Sequence, residues 1–318
     1  MLLLVASACF TFSETFGEGF AGANPFAGGG GAAADSGEAI EPAAPAEAAA
    51  RAAHRRSNAA PGAPYDLDGA LDDAVRGALA GYEGRYSVAI RRLSDGHETA
   101  IDGDRVFYSA SLFKLAVLYE VQYRLTRGQL DLAMSLPIGA ADIAEDDGTF
   151  WSLPFAEDGT ISIGAALEAM VTVSDTTTAN AFLHLLGHNQ IDETLRSLGL
   201  KKTSVNDRKL PTTASDMALL MEALYLGRGL DTPERNLARD LLKAQAWRAG
   251  IPAGLPGNVI SGNKTGNTEG ATHDVAFVEA PGGTYVIAIL SDRAWDWRPV
   301  EAVSAAVFAV LAAPHLRE

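Results

Sequence analysis

The sequence predicts an α/β sandwich: one antiparallel sheet built from both ends of a domain, with a helical lobe inserted between them. Three observations predict it. Residues 85–93 alternate like a strand, and Ser94-Asp95-Gly96 turns them into a second strand through Ala100 and Ile101. Near the C-terminus, residues 259–264, 273–279 and 284–291 are strand-like, and the last two flank the hairpin signal Pro281-Gly282-Gly283. Between these ends the apolar spacing is mainly helical.

The elements follow in order from Tyr65, where the folded domain (residues 65–318) is expected to begin. Asp66 is placed to cap a helix to Ala80, with Leu67, Leu71, Val75 and Leu79 on one face. A helix from Ser111 to about Arg127 is apolar almost all round. Residues 136–154 are irregular and hold Asp142, Glu145, Asp146 and Asp147 ahead of Phe150 and Trp151. Such a loop walls a cleft, or is a solvated acidic loop with two buried anchors. Helical spacing covers 163–173. Ser174-Asp175-Thr176 interrupts it, and 179–186 resumes it until Gly187. Further helices are expected over 213–226, 237–246 and 300–311.

Composition narrows the function. A net charge of −15 argues against a nucleic-acid partner and against docking on an acidic membrane surface. The single cysteine, Cys9, excludes an intrachain disulfide. No apolar run reaches the eighteen or so residues of a membrane-spanning helix. Met1-Leu-Leu-Leu-Val-Ala-Ser-Ala-Cys9 reads as the last part of an export signal whose basic start lies upstream. Its small residues before Cys9 resemble a bacterial lipoprotein processing site, which would place a lipid anchor on Cys9. A simply cleaved signal is the alternative. Residues 10–64, rich in Ala, Gly and Pro, read as a disordered tether. The chain is therefore expected to be exported, as a cell-envelope lipoprotein or a secreted or periplasmic protein, and to be a monomer.

The chemistry starts at Ser111-Leu-Phe-Lys114. Lys114 is the only charge between Arg105 and Glu120. Desolvation among leucines and phenylalanine lowers a lysine pKa and makes free amine, a base, accessible. Residues three apart on a helix share a face, so this amine is within reach of the Ser111 hydroxyl. Unpaired N–H groups of the first turn favour developing negative charge there. Nucleophile, base and half an oxyanion site thus come from four consecutive residues. The other reading makes Ser111 a helix cap and Lys114 a side chain that snorkels to water.

Two more short patterns follow: Ser174-Asp175-Thr176 between helices, and Lys264-Thr265-Gly266 at a strand end. Each is weak alone. Their order, separation and contexts make a specific set. Together with Phe107-x-x-Ala-Ser-x-Phe-Lys114, Met170-x-x-x-Ser-Asp-x-Thr-x-x-Asn180 and the Thr212-Thr213 helix start, they resemble the penicillin-recognising serine enzymes, closest to class A β-lactamases. The resemblance covers roughly residues 66–311. It implies a β-lactamase/transpeptidase-like fold and a covalent acyl-enzyme made by Ser111. Lys114 would take or relay its proton, and Ser174 would protonate the leaving nitrogen. Lys264 and Thr265 would hold the substrate carboxylate, and the N–H groups of Ser111 and Asn267 would form the oxyanion hole. Thr176 and Gly266 would border the substrate. No metal or cofactor is implied.

Two departures matter. Thr176 replaces the asparagine that class A enzymes carry in the middle motif. Residues 199–213 are shorter than the class A omega loop and lack its Glu-x-x-Leu-Asn pattern, so the deacylating glutamate is missing. Asn180, which would face that glutamate, is present, and Asp207 is a candidate substitute base. The reading is a serine hydrolase acting on amide, lactam or ester bonds with weak hydrolysis of its acyl-enzyme. The alternatives are a true class A-like β-lactamase and a non-turning-over protein that binds penicillins or peptidoglycan peptides. His184 and His188 lie four apart but lack the rest of a zinc motif, and are read as core or surface histidines. His273 and Asp274 open a strand beside the Lys264 strand, and Asp274 is read as structural. Arg293 is read as a surface residue.

Overall fold

The computed structural model describes residues 66–144 and 149–313. The export-signal segment with Cys9, the tether 10–64, and Glu145, Asp146 and Asp147 lie outside the described residues. A five-stranded antiparallel sheet runs β2(Glu98–Ile101), β1(Tyr86–Arg92), β9(Gly283–Ser291), β8(Ala271–Ala280), β7(Ile260–Thr268). The β1–β9 pair, with Val88 opposite Ile289, joins the two ends of the domain as the sequence predicts. Both sheet faces are covered, so its central strands are near-continuous apolar runs. Val88, Ile90, Ile287 and Ile289 face α1(Leu67–Leu79) and α8(Arg298–Leu311). Ala89, Ala288, Val286 and Phe277 face the helical lobe.

Asp66 caps α1 by accepting from the Gly69 N–H at 2.9 Å, and Leu67, Leu71 and Val75 turn inward. The lobe is organised on α2(Phe113–Thr126). Every residue from Phe113 to Gln122 is buried, as its all-round apolar sequence demands. Around it stand α3(Ile163–Thr172), α4(Thr176–Leu186), α5(His188–Ser197), α6(Ala214–Leu226) and α7(Thr232–Lys243). Two short ladders tie the lobe's loops: β3(Phe107–Tyr108) with β6(Pro211–Thr212), and β4(Ser135–Leu136) with β5(Ile161–Ser162).

The structure adds one helix to the sequence reading and moves several boundaries. Helix α5 follows directly on Gly187, whose φ of 81° ends α4. Its sequence is mostly polar, and only Ile191 and Leu195 give it an apolar stripe. Helix α7 begins at Thr232 with a proline in its first turn, a favoured place for proline, five residues before its apolar spacing becomes visible. Helix α4 begins at Thr176 rather than 179 because Asp175 caps it. Ser111 lies in a short 3-10 turn, Ala110–Leu112, that leads into α2 rather than in the α-helix itself. Strand β7 runs past Lys264 to Thr268, so Lys-Thr-Gly is inside the strand.

Strand β7 is an edge strand, and its packing against the lobe leaves no room at Gly262. A Cβ there would stand 2.5 Å from the Phe277 ring and 3.0 Å from the Leu242 carbonyl carbon. Gly262→Val is expected to destabilise the domain by about 1–3 kcal/mol through overpacking. A lowered urea midpoint with an unchanged m-value is the check.

Candidate active site

The segment that delivers Ser111 is held from three directions. Strand β3 pairs with β6, Phe107 opposite Thr212 and Tyr108 opposite Pro211. The Ser109 N–H donates to the Leu210 carbonyl at 2.8 Å. Strand β7 lies so close that a Cβ on Gly266 would stand 3.0 Å from the Ser109 carbonyl oxygen and 3.2 Å from the Leu112 nitrogen. Glycine at 266 is therefore a packing requirement. Between these anchors Ala110 takes a φ of 45°. A left-handed non-glycine residue costs about 1–2 kcal/mol, so the turn presenting Ser111 is over-determined by its surroundings.

The three motifs meet at Ser174, itself left-handed at φ 63°. Lys114 and Lys264 are almost wholly buried. The Lys114 ammonium donates to the Ser174 carbonyl, to Ser174 Oγ at 3.2 Å and to Thr176 Oγ1 at 3.1 Å. The Lys264 ammonium donates to Ser174 Oγ at 2.9 Å and to the Thr265 carbonyl at 2.9 Å. One hydroxyl oxygen thus accepts from two amines, which leaves its own proton to be donated. Burial holds Lys264 well below the usual lysine range, the charge of Lys114 lowers it further, and Asp274 partly opposes both. Ser111, Ser174 and Thr176 are half-buried, whereas both lysines are buried.

Ser111 is one helical turn before Lys114, but its hydroxyl makes no hydrogen bond among the described residues. The amine is occupied by Ser174 and Thr176 instead. The sequence reading places Thr176 against the substrate and misses its bond to Lys114. No pattern signals it, since the contact depends on where α4 starts.

Strand β7 contributes more than Lys264. Thr265 is buried and alternates away from Lys264 and Gly266, opposite Asp274 in the ladder. Asn267 is half-buried at the strand end, opposite Thr272. Asp274 is buried on the far side of Lys264, where its carboxylate accepts from the Ile251 N–H at 2.7 Å and Asn263 Nδ2 at 2.9 Å. That agrees with a structural role. Arg293 turns away, its guanidinium 3.9 Å from the Glu83 carboxylate.

Around the cluster, carboxylates fix the loops. Asp175 caps α4 through the Thr178 N–H at 2.6 Å and also accepts from the Thr149 hydroxyl. Asn180 donates to the Asp142 carbonyl at 3.0 Å, and the Ala144 N–H donates to Thr177 Oγ1 at 3.0 Å, so the start of the acid loop is pinned on α4. His184 Nδ1 lies 2.5 Å from an Asp142 carboxylate oxygen. Among the described residues no group of three or more His, Cys, Asp or Glu side chains is placed to hold a metal ion. The short loop 199–213 hangs on two carboxylates the sequence reading does not single out. Asp216 accepts from the N–H groups of Lys201, Lys202 and Thr203 at 3.0, 2.8 and 2.8 Å, and Asp192 accepts from the Val205 N–H at 2.8 Å. Asp207, the candidate base, is exposed and accepts from the Lys209 N–H at 2.8 Å within its own loop.

Residues 70–311 match the Beta-lactamase enzyme family. The chain belongs to that family. Proteins similar to it include a β-lactamase of Mycobacterium tuberculosis, 32% identical over an alignment of 171 positions, with 46% of this chain and 55% of the relative covered. The chain thus spans about half the length of that curated relative. An ancestral class A β-lactamase shares the fold at a TM-score of 0.66 and 27% identity, covering 77% of this chain and 98% of the other. A PBP-A variant, solved as its acyl-enzyme complex with penicillin G, aligns at a TM-score of 0.68 and 23% identity over 75% of this chain and 94% of the other. The β-lactamase/transpeptidase-like architecture expected from the motifs is the one found.

Burial raises the Asp274 carboxyl from 3.8 to about 7, against hydrogen bonds from Asn263 and Ile251 and attraction from Lys264. A carboxyl raised in the folded state favours folding fully below its unfolded value, and that advantage is lost as pH rises through the folded value. Stability from this group is therefore expected to fall between about pH 4 and pH 7, by at most about 4 kcal/mol. Asp274→Asn, neutral throughout, should flatten that fall in unfolding free energies measured across the same window.

Proposed function

We propose that this chain is a serine hydrolase that forms a covalent acyl-enzyme on amide, lactam or ester substrates, β-lactams among them, and releases the acyl group slowly. The observation that carries the reading is the meeting of Lys114 and Lys264 on the Ser174 hydroxyl, next to a half-buried Ser111 presented by a strained turn. Ser111 Oγ attacks the carbonyl carbon when Lys114 is in its free-amine form, and its proton passes to that amine, directly or through Ser174. The N–H groups of Ser111 and Asn267 receive the oxyanion. As the carbon–nitrogen bond breaks, the Ser174 O–H protonates the nitrogen and recovers a proton from the lysine pair. Lys264, with Thr265 and Gly266 on the edge strand, offers an anion site and backbone groups for an extended substrate, while Thr176 steadies Lys114.

Water must then cleave the ester. Residues 199–213 lack the class A Glu-x-x-Leu-Asn pattern, and Asp207 is exposed and held within its own loop. This favours slow release over the rapid turnover of a full β-lactamase, and it makes a penicillin trap the nearest rival. The substrate chemistry agrees with a site outside the cytoplasm, where the signal-like start would deliver it.

A chromogenic cephalosporin mixed with the full chain is expected to give a burst of colour near one equivalent and then a slow steady rate. A fluorescent penicillin is expected to label the wild type and to leave Ser111→Ala unlabelled. Steady release at class A rates would refute slow deacylation. Labelling that survives Ser111→Ala would refute the nucleophile.

A further inference from the structure

We infer that His273 is a positioning residue for Ser111, tying the strand that delivers the nucleophile to the main sheet. The inference rests on the reading of Ser111 as the nucleophile. His273 is wholly buried in β8, directly opposite Gly266 in the ladder. Its Nε2 lies 2.8 Å from the Tyr108 carbonyl oxygen, and its Nδ1 lies 3.1 Å from the Ser291 nitrogen. A backbone N–H only donates and a carbonyl only accepts, so the ring is neutral with its proton on Nε2. The edge-on Phe107 ring, 5.8 Å away, packs against the imidazole. Burial also lowers its pKa to about 4, which keeps the acceptor nitrogen available at neutral pH.

The location gives this bond its purpose. Strand β3 is two residues long, and among the described residues its only ladder partner is the equally short β6, so it is not itself a strand of the five-stranded sheet. Only Ser109 and the left-handed Ala110 lie between Tyr108 and Ser111. Relaxation of Ala110 toward an ordinary φ would swing the Ser111 hydroxyl. Holding the Tyr108 carbonyl resists that motion from the sheet side, as the Ser109–Leu210 bond does from the loop side. Neither ring nitrogen is left over for substrate, so the effect is on geometry.

The test compares wild type, Ser111→Ala, His273→Gln and His273→Leu in the full chain, using a fluorescent penicillin and a fluorophosphonate as two serine-directed probes. The limiting acylation rate and the half-saturating probe concentration are measured separately. Thermal unfolding confirms that each variant is folded at the assay temperature. His273→Leu is expected to lose about 30-fold in limiting rate, as small misplacements of a nucleophile do, with half-saturation changed less than threefold. His273→Gln retains a donor for the Tyr108 carbonyl and should recover to within about fivefold of wild type. If His273→Leu does not fold, His273→Asn, whose shorter amide falls short of Tyr108, replaces it with the same expectation. Limiting rates within threefold of wild type, a loss confined to half-saturation, or equal losses in the Leu and Gln variants would overturn the inference while leaving Ser111 as nucleophile. No labelling of wild type by either probe, or labelling that survives Ser111→Ala, would remove the nucleophile reading and this inference with it.

Discussion

Two buried ammonium groups share one hydroxyl oxygen, and the rest of the domain exists in the arrangement that makes this tolerable. Like charges in a dry site repel, and each loses hydration. The cluster persists because its amines are satisfied by the Ser174 carbonyl, Ser174 Oγ, Thr176 Oγ1 and the Thr265 carbonyl, and because Asp274 lies behind Lys264. Burial, and then the charge of Lys114, hold Lys264 below its usual range, which is what the proposed proton relay through Ser174 requires.

The fold brings these groups from distant parts of the chain by giving each its own rigid mount. Lys114 is on a helix buried on every side, and Lys264 is on an edge strand packed against the short turn that leads into that helix. Ser174 is in the joint between α3 and α4. The joint is fixed by the cap at Asp175 and by the bond from Thr149. Both left-handed alanine and serine residues, Ala110 and Ser174, lie at the points where chain direction must change abruptly to aim a hydroxyl. Strain of this kind is stored only where neighbours enforce it. Here the neighbours are Gly266, Leu210 and His273 for the first, and Lys114 for the second.

Much of this was legible in the residues. Hairpin signals at both ends and helical periods between them identify the sandwich, and a lone lysine in an apolar helix marks the buried amine. Two patterns separated from Ser111 by tens of residues complete the set. What escaped notice depends on contacts that leave no local pattern. Helix α5 has too narrow an apolar stripe to be seen. Asp192 and Asp216 read as ordinary surface acids until loop 199–213 folds over them. The bond from Thr176 to Lys114 and the two bonds of His273 join elements far apart in sequence. Single-residue chemistry does not foretell which of several acceptors a buried amine will choose, and here Lys114 chooses Ser174 and Thr176 over Ser111.

The shortened loop is where the proposal of slow release meets the architecture. Loop 199–213 is shaped by carboxylates of the neighbouring helices, Asp216 and Asp192, while its own Asp207 accepts from the Lys209 N–H. Under the proposed mechanism, acylation depends on the lysine–serine cluster and deacylation on whatever activates water. The convergence of the two amines is open to direct measurement by following the Lys264 side-chain signal by NMR across a pH titration. Lys264 is expected to titrate well below the ordinary lysine value and to move back up when Lys114→Met removes the neighbouring charge. An ordinary lysine titration that is indifferent to residue 114 would contradict the account.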